Sequence, residues 1–113
     1  MAKYETRVYG DLNEILSRLD RGIMSGSYSA SLEDGSYCQY GPVQCAVRVY
    51  ERYSVFGGNR LSLTLTLVGT SNDVFVSAIA SGGSQAVFFK INTLGEEAFL
   101  EHAVRILEGY QRI

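Results

Sequence analysis

Among its 113 residues the chain has no tryptophan, one proline, two cysteines and a single histidine. A structural zinc needs about four ligands, and Cys38, Cys45 and a distant His102 cannot supply them. No apolar run approaches the roughly 18 residues of a membrane span, so no membrane partner is expected. Net charge is only -2 and the pI about 5.3. Nucleic-acid modules carry a basic face and a high pI, so no nucleic-acid partner is expected either. The start, "MAKYETRVYG", lacks the apolar stretch and cleavage site of a signal peptide. The expected setting is the cytoplasm, where thiols stay reduced. No internal repeat, low-complexity segment or linker is visible.

What is present reads as one α+β domain over residues 1–113. Apolar and charged fractions of 46% and 19% are those of an ordinary globular protein, and a chain this long buries roughly 65% of its unfolded surface. Eight tyrosines and twelve glycines favour strands joined by tight turns. After a first strand at Lys3 to Tyr9, "GDLNEILSRLDRGIMSG" carries Leu12, Ile15, Leu16, Leu19 and Ile23 at helical spacing. Asp11 caps this helix, with Glu14 as its capping-box partner, and Gly22 or Gly26 is expected to end it in the left-handed conformation.

From Ser27 to Ile91 the period changes to two. In "RLSLTLTLVG" the odd-numbered leucines, 61 to 67, face one way and Ser62, Thr64 and Thr66 the other, the mark of a sheet with one buried and one wet face. Further strands are expected at "SYSASLEDGSYCQY", "VQCAVRVYERYSVF", "DVFVSAIAS" and, short and last, "QAVFFKI". Placing Val47, Val49, Tyr53 and Val55 on the leucine face requires a three-residue loop, Gly57 to Asn59, which sets Val55 against Leu61 and Val49 against Leu67. A second helix opens with Thr93 as N-cap and Glu96 as its partner. Its apolar face carries Phe99, Leu100, Ala103, Ile106, Leu107 and Tyr110. The expected architecture is an antiparallel sheet of five to six strands with two helices on one face.

The segment "SGGSQAVFFKINTLGEE" invites comparison with a phosphate loop. Its glycines precede a strand rather than the helix, and Glu96 and Glu97 would repel a phosphate. Gly82-Gly83 is read as a turn or bulge, and Lys90 as a solvating charge on an edge strand. A hairpin centred on Gly41-Pro42 sets Cys38 opposite Cys45, within disulfide reach. The pair reads either as a redox couple or as two buried thiols packing as small apolar groups. His102 reads as a boundary residue on the last helix. Glu51, on the expected leucine face, reads as the polar group that orients a ligand in an apolar pocket or as a strand-end residue reaching water. Arg48, Tyr50 and Arg52 then share the opposite, wet face, with Glu33 opposite Tyr50.

Taken together, "SASLED", "CAVRVYERYS", "GGNRLSLTLTLVG" and "SAIASGGSQAVFFKINTLGEEAFL" resemble a family of short bacterial proteins known only as a domain of unknown function. The order strand, helix, strand meander, helix also resembles a reduced helix-grip fold of the START and Bet v 1-like type. That likeness implies an apolar ligand held between sheet and terminal helix, with Glu51, Tyr53, Phe99, Ala103 and Tyr110 lining the pocket. No cofactor and no catalytic set is expected. The leading reading is a non-enzymatic module that self-associates or binds a protein partner, motivated by aromatics such as Tyr50 and Phe75 on the less apolar face. The alternative is the small apolar ligand of the helix-grip likeness.

Overall fold

In the computed structural model, which describes residues 1–53, 59–82 and 89–113 and side chains of the last segment from residue 95, the chain runs β1 (Ala2–Val8), α1 (Leu12–Gly26), β2 (Ser31–Tyr40), β3 (Val43–Tyr53), β4 (Arg60–Gly69), β5 (Val74–Gly82) and α2 (Phe89–Leu107). The strands form one antiparallel sheet in the order β1-β5-β4-β3-β2. Strands β2 to β5 meander, and β1 closes the sheet by lying beside β5.

The alternation in β4 decides which face is covered. Leu61, Leu63, Leu65 and Leu67 are buried, with Val74, Val76, Ala78 and Ala80 beside them on β5. Leu12, Ile15, Leu16, Leu19 and Ile23 of α1 and Phe99, Leu100, Ala103 and Leu107 of α2 close the core from one side. Helix α2 lies over β5, β1 and β4, and α1 packs on α2 and β4. Asp11 caps α1, its carboxylate accepting from the Glu14 backbone N–H at 3.1 Å. The Glu14 carboxylate turns elsewhere, accepting from the Tyr110 hydroxyl at 3.0 Å and pairing with Arg18.

Gly22 and Gly26 do not end α1 by left-handed geometry: neither has a positive φ, and the chain leaves the helix through an extended Ser27. They bring the two helices together instead. A Cβ at Gly22 would lie 2.0 Å from Ile106 Cδ1, and one at Gly26 would lie 2.5 Å from His102 Nδ1. Gly41 does take a positive φ, 57°, as the first residue of the two-residue Gly41-Pro42 loop.

The register between β3 and β4 differs from the sequence expectation. Tyr53 pairs with Arg60, Val49 with Thr64 and Tyr50 with Leu63. The connection therefore spans the six residues 54–59. Val55 and the glycines of the expected three-residue loop lie outside the described residues. The shift moves every β3 side chain to the other face. Ala46 and Tyr50 are buried under the helices, while Val47, Val49, Glu51 and Tyr53 share the open face with Thr64, Thr66 and Ser62. Two features favour this pairing. The Tyr50 ring fills the space beside α1, and its hydroxyl donates to Asp20 at 2.6 Å. On the open face Val47 and Val49 stand opposite Thr66 and Thr64, β-branched pairs that suit a pleated surface.

Two further expectations change. A bulge between Leu32 and Asp34 leaves Glu33 unpaired, and Leu32 stands opposite Tyr50. Helix α2 begins at Phe89, four residues before Thr93, so the backbone of Phe89, Lys90 and Ile91 is helical and Lys90 is not on an edge strand. The remainder of the expected last strand lies outside the described residues, as do Gly83 and the Thr93 side chain. A short apolar run with no polar alternation does not distinguish strand from helix. Glu96 is buried and accepts from the chain's N-terminal ammonium at 2.6 Å.

Candidate interaction surface

The helices stop short of the far side of the sheet. Neither packs substantially on β2, and the molecule is elongated, 47 Å against 25 and 24 Å. All ten residues of β2 except Ser31 are exposed. Leu32 and Tyr37 point to the helix side without a helix to cover them, and Tyr40 and Val43 are exposed at the tip. The open face of the sheet carries a continuous row across all five strands: Cys38, Cys45, Val68, Phe75 and Arg7. Phe75 and Val68 are over one-third exposed, and Arg7 makes a paired bond to Asp73 at 2.6 and 2.8 Å.

At the start of the overhang, α1 and β3 enclose a shallow cleft of about 270 Å³ lined by Asn13, Leu16, Ser17, Asp20 and Arg48. Arg48 stands opposite Gly35, where a Cβ would touch its side chain at 3.0 Å, and it reaches Asp20 at 3.6 Å. Burial first, then the bond to Asp20, pushes the Tyr50 phenol well above its ordinary range. A neutral phenol here holds the carboxylate toward Arg48. The lining is polar and the volume small for an organic ligand.

The five residues expected to line a ligand pocket are not brought together. Glu51 and Tyr53 lie on the open face, where Arg60 pairs with Glu51 at 2.5 Å, reaches Glu33 at 3.8 Å and sits 5.5 Å above the Tyr53 ring. Phe99 and Ala103 lie on the other side, fully buried against the core. Tyr110 sits beyond the end of α2 beside Glu14 and Arg18. Tyr50, expected among exposed aromatics, is buried, whereas Phe75 is exposed as expected.

Arg52 holds the place under the sheet that the sequence pattern assigned to Glu51. Its guanidinium lies 4.5 Å from the Phe99 ring centroid, Nη1 is 3.3 Å from His102 Nε2, and Nη2 donates to the Gly95 carbonyl at 3.5 Å. Its buried Nε has no partner among the described residues. Burial lowers the pKa of Arg52. Burial first, then Arg52 and Arg105, lowers that of His102, with Glu101 opposing. Neutral His102 then accepts from Arg52. The unfolded chain takes up this proton before the folded one does, so the stability is present above the unfolded pKa of about 6.5 and is lost as pH falls below it. The urea midpoint is expected to drop between about pH 7 and pH 5, and His102→Gln should flatten part of that drop.

A family model matches residues 1–111 of the chain. The chain belongs to DUF6054, a family of unknown function. The match takes in all five strands and both helices, so the open β2 edge and the covered leucine face both fall within the DUF6054 region. Comparisons with curated proteins and with solved structures gave no match. Among the described residues no helix is long and apolar enough to cross a membrane, and no cluster of three metal-ligating side chains occurs.

Proposed function

We propose that this DUF6054 chain is a non-enzymatic module that self-associates by pairing β2 with β2 of a second copy. The observation that carries this is the exposure of a ten-residue edge strand along nearly its whole length. An edge strand presents unpaired N–H and C=O groups to any extended chain. Pairing a strand with its own copy, antiparallel, closes on a two-fold axis. Centred on Ser36, the pairing sets Gly35 against Tyr37 and Asp34 against Cys38, so no like charges meet. The Glu33 bulge ends it, with Glu33 held aside by Arg60.

The Gly41-Pro42 loop is closed by the Tyr40–Val43 pair. With that pair hydrogen-bonded and the ladder alternating, the Tyr37 N–H points away from β3. Tyr37→Pro removes this outward donor from a strand outside the core. Sedimentation equilibrium should show the wild type rising with concentration toward twice the 12.4 kDa chain mass, and Tyr37→Pro remaining at the single-chain value with an unchanged circular dichroism spectrum. A wild type that stays at the single-chain mass at all concentrations ends the proposal. Native mass spectra of the same samples also report whether a small apolar molecule is retained, the alternative drawn from the helix-grip likeness.

A further inference from the structure

The two thiols lie directly opposite one another, Cys38 on β2 and Cys45 on β3. They are on the open face of the sheet, and the core does not enclose them: Cys38 is exposed and Cys45 half-buried, both as free thiols. Packing as a buried apolar pair is therefore not their role. Two residues from the hydrogen-bonded Tyr40–Val43 pair, Cys38 and Cys45 are themselves a hydrogen-bonded pair, with Cα atoms roughly 5.5 Å apart, within the roughly 4.4–6.8 Å that disulfides span. Directly opposite Cys45 on β4 stands Val68. His102 lies on the helix side of the sheet, so a thiol–imidazole nucleophile is excluded while thiol–disulfide exchange, which needs no imidazole, remains open.

We propose that Cys38 and Cys45 form a reversible dithiol–disulfide site, oxidised by a low-molecular-weight disulfide such as oxidised glutathione. The Cys38 thiolate, the accessible sulfur, attacks one sulfur of the oxidant and expels one thiolate. This leaves a mixed disulfide on Cys38. Cys45 then loses its proton to solvent and attacks Cys38 Sγ, expelling the second thiolate and closing the Cys38–Cys45 bond. Two thiols are oxidised, and the oxidant's disulfide is reduced to two thiols. Burial, and next Cys38 itself, pushes the Cys45 thiol above its ordinary range, so less of Cys45 is thiolate at neutral pH and the first attack falls to the accessible Cys38. The site does not require self-association: in the pairing centred on Ser36 both sulfurs stay on the open face, with Asp34 of the second copy opposite Cys38.

The test is incubation of the full chain in glutathione buffers of graded poise, followed by thiol alkylation and intact mass measurement. The wild type should lose the mass of two hydrogens and both alkylation sites, and regain them with excess reduced glutathione. Cys45→Ser should stop at one bound glutathione, and Cys38→Ser should react several-fold more slowly than Cys45→Ser. A wild type that accumulates a stable glutathione adduct, a covalent dimer, or no oxidised form in the most oxidising buffer overturns the proposal.

Discussion

Phe99→Ala is expected to cost about 3–5 kcal/mol, enough to lower the melting temperature by roughly 10–20 °C for a domain of this size. Phe99 is fully buried where α2 meets the sheet. Its ring also carries the Arg52 guanidinium, 4.5 Å from the centroid. Truncation therefore opens a cavity and leaves a half-buried cation without its aromatic surface, and the two losses add. Thermal or urea unfolding followed by circular dichroism measures the sum. Phe99→Leu, which keeps most of the volume and loses the ring, separates the cavity from the cation–π contact: it should recover more than half of the loss.

The second large effect distinguishes neighbouring tyrosines of β3. Tyr50→Ala should cost about 3–5 kcal/mol, and Tyr53→Ala no more than about 1 kcal/mol. Tyr50 has no exposed surface, and its hydroxyl donates to Asp20 at 2.6 Å. Tyr53 is over half exposed, with Arg60 5.5 Å above its ring. Equal losses at the two positions, or a larger one at Tyr53, would mean that β3 is set the other way round. Tyr50→Phe isolates the hydroxyl: the Asp20 carboxylate keeps Arg48 at 3.6 Å, so the cost should be about 1–2 kcal/mol.

The features legible in the sequence are those decided by local periodicity. The β4 leucines and the stripe of α1 bury as their spacing requires, and the Asp11 cap and the Cys38–Cys45 pairing follow from neighbours in sequence. The β3 register was not legible in the same way, because both faces of that strand carry apolar residues. Valines at 47 and 49 look like core, but the position that receives a helix is Tyr50, and this depends on α1 lying over it with Asp20 in reach. Arg52 was hidden for a related reason: a guanidinium reads as a surface group until Phe99 and His102, some fifty residues later, are seen beside it. The capping signal at Thr93 and Glu96 points to a later start for α2 than Phe89, where the helix begins, because Glu96 takes the terminal ammonium and Phe89 to Ile91 are already helical. The open β2 edge is a property of what does not cover it, which no local pattern encodes.

Hydrogen exchange of the β2 backbone, followed as a function of protein concentration, tests the central claim most directly. If β2 pairs with its own copy, the outward N–H of Tyr37 should exchange slowly in concentrated solution and at a near-unfolded rate on dilution, while β4 amides stay protected throughout. Rapid exchange at Tyr37 at every concentration, with β4 protected, would contradict it.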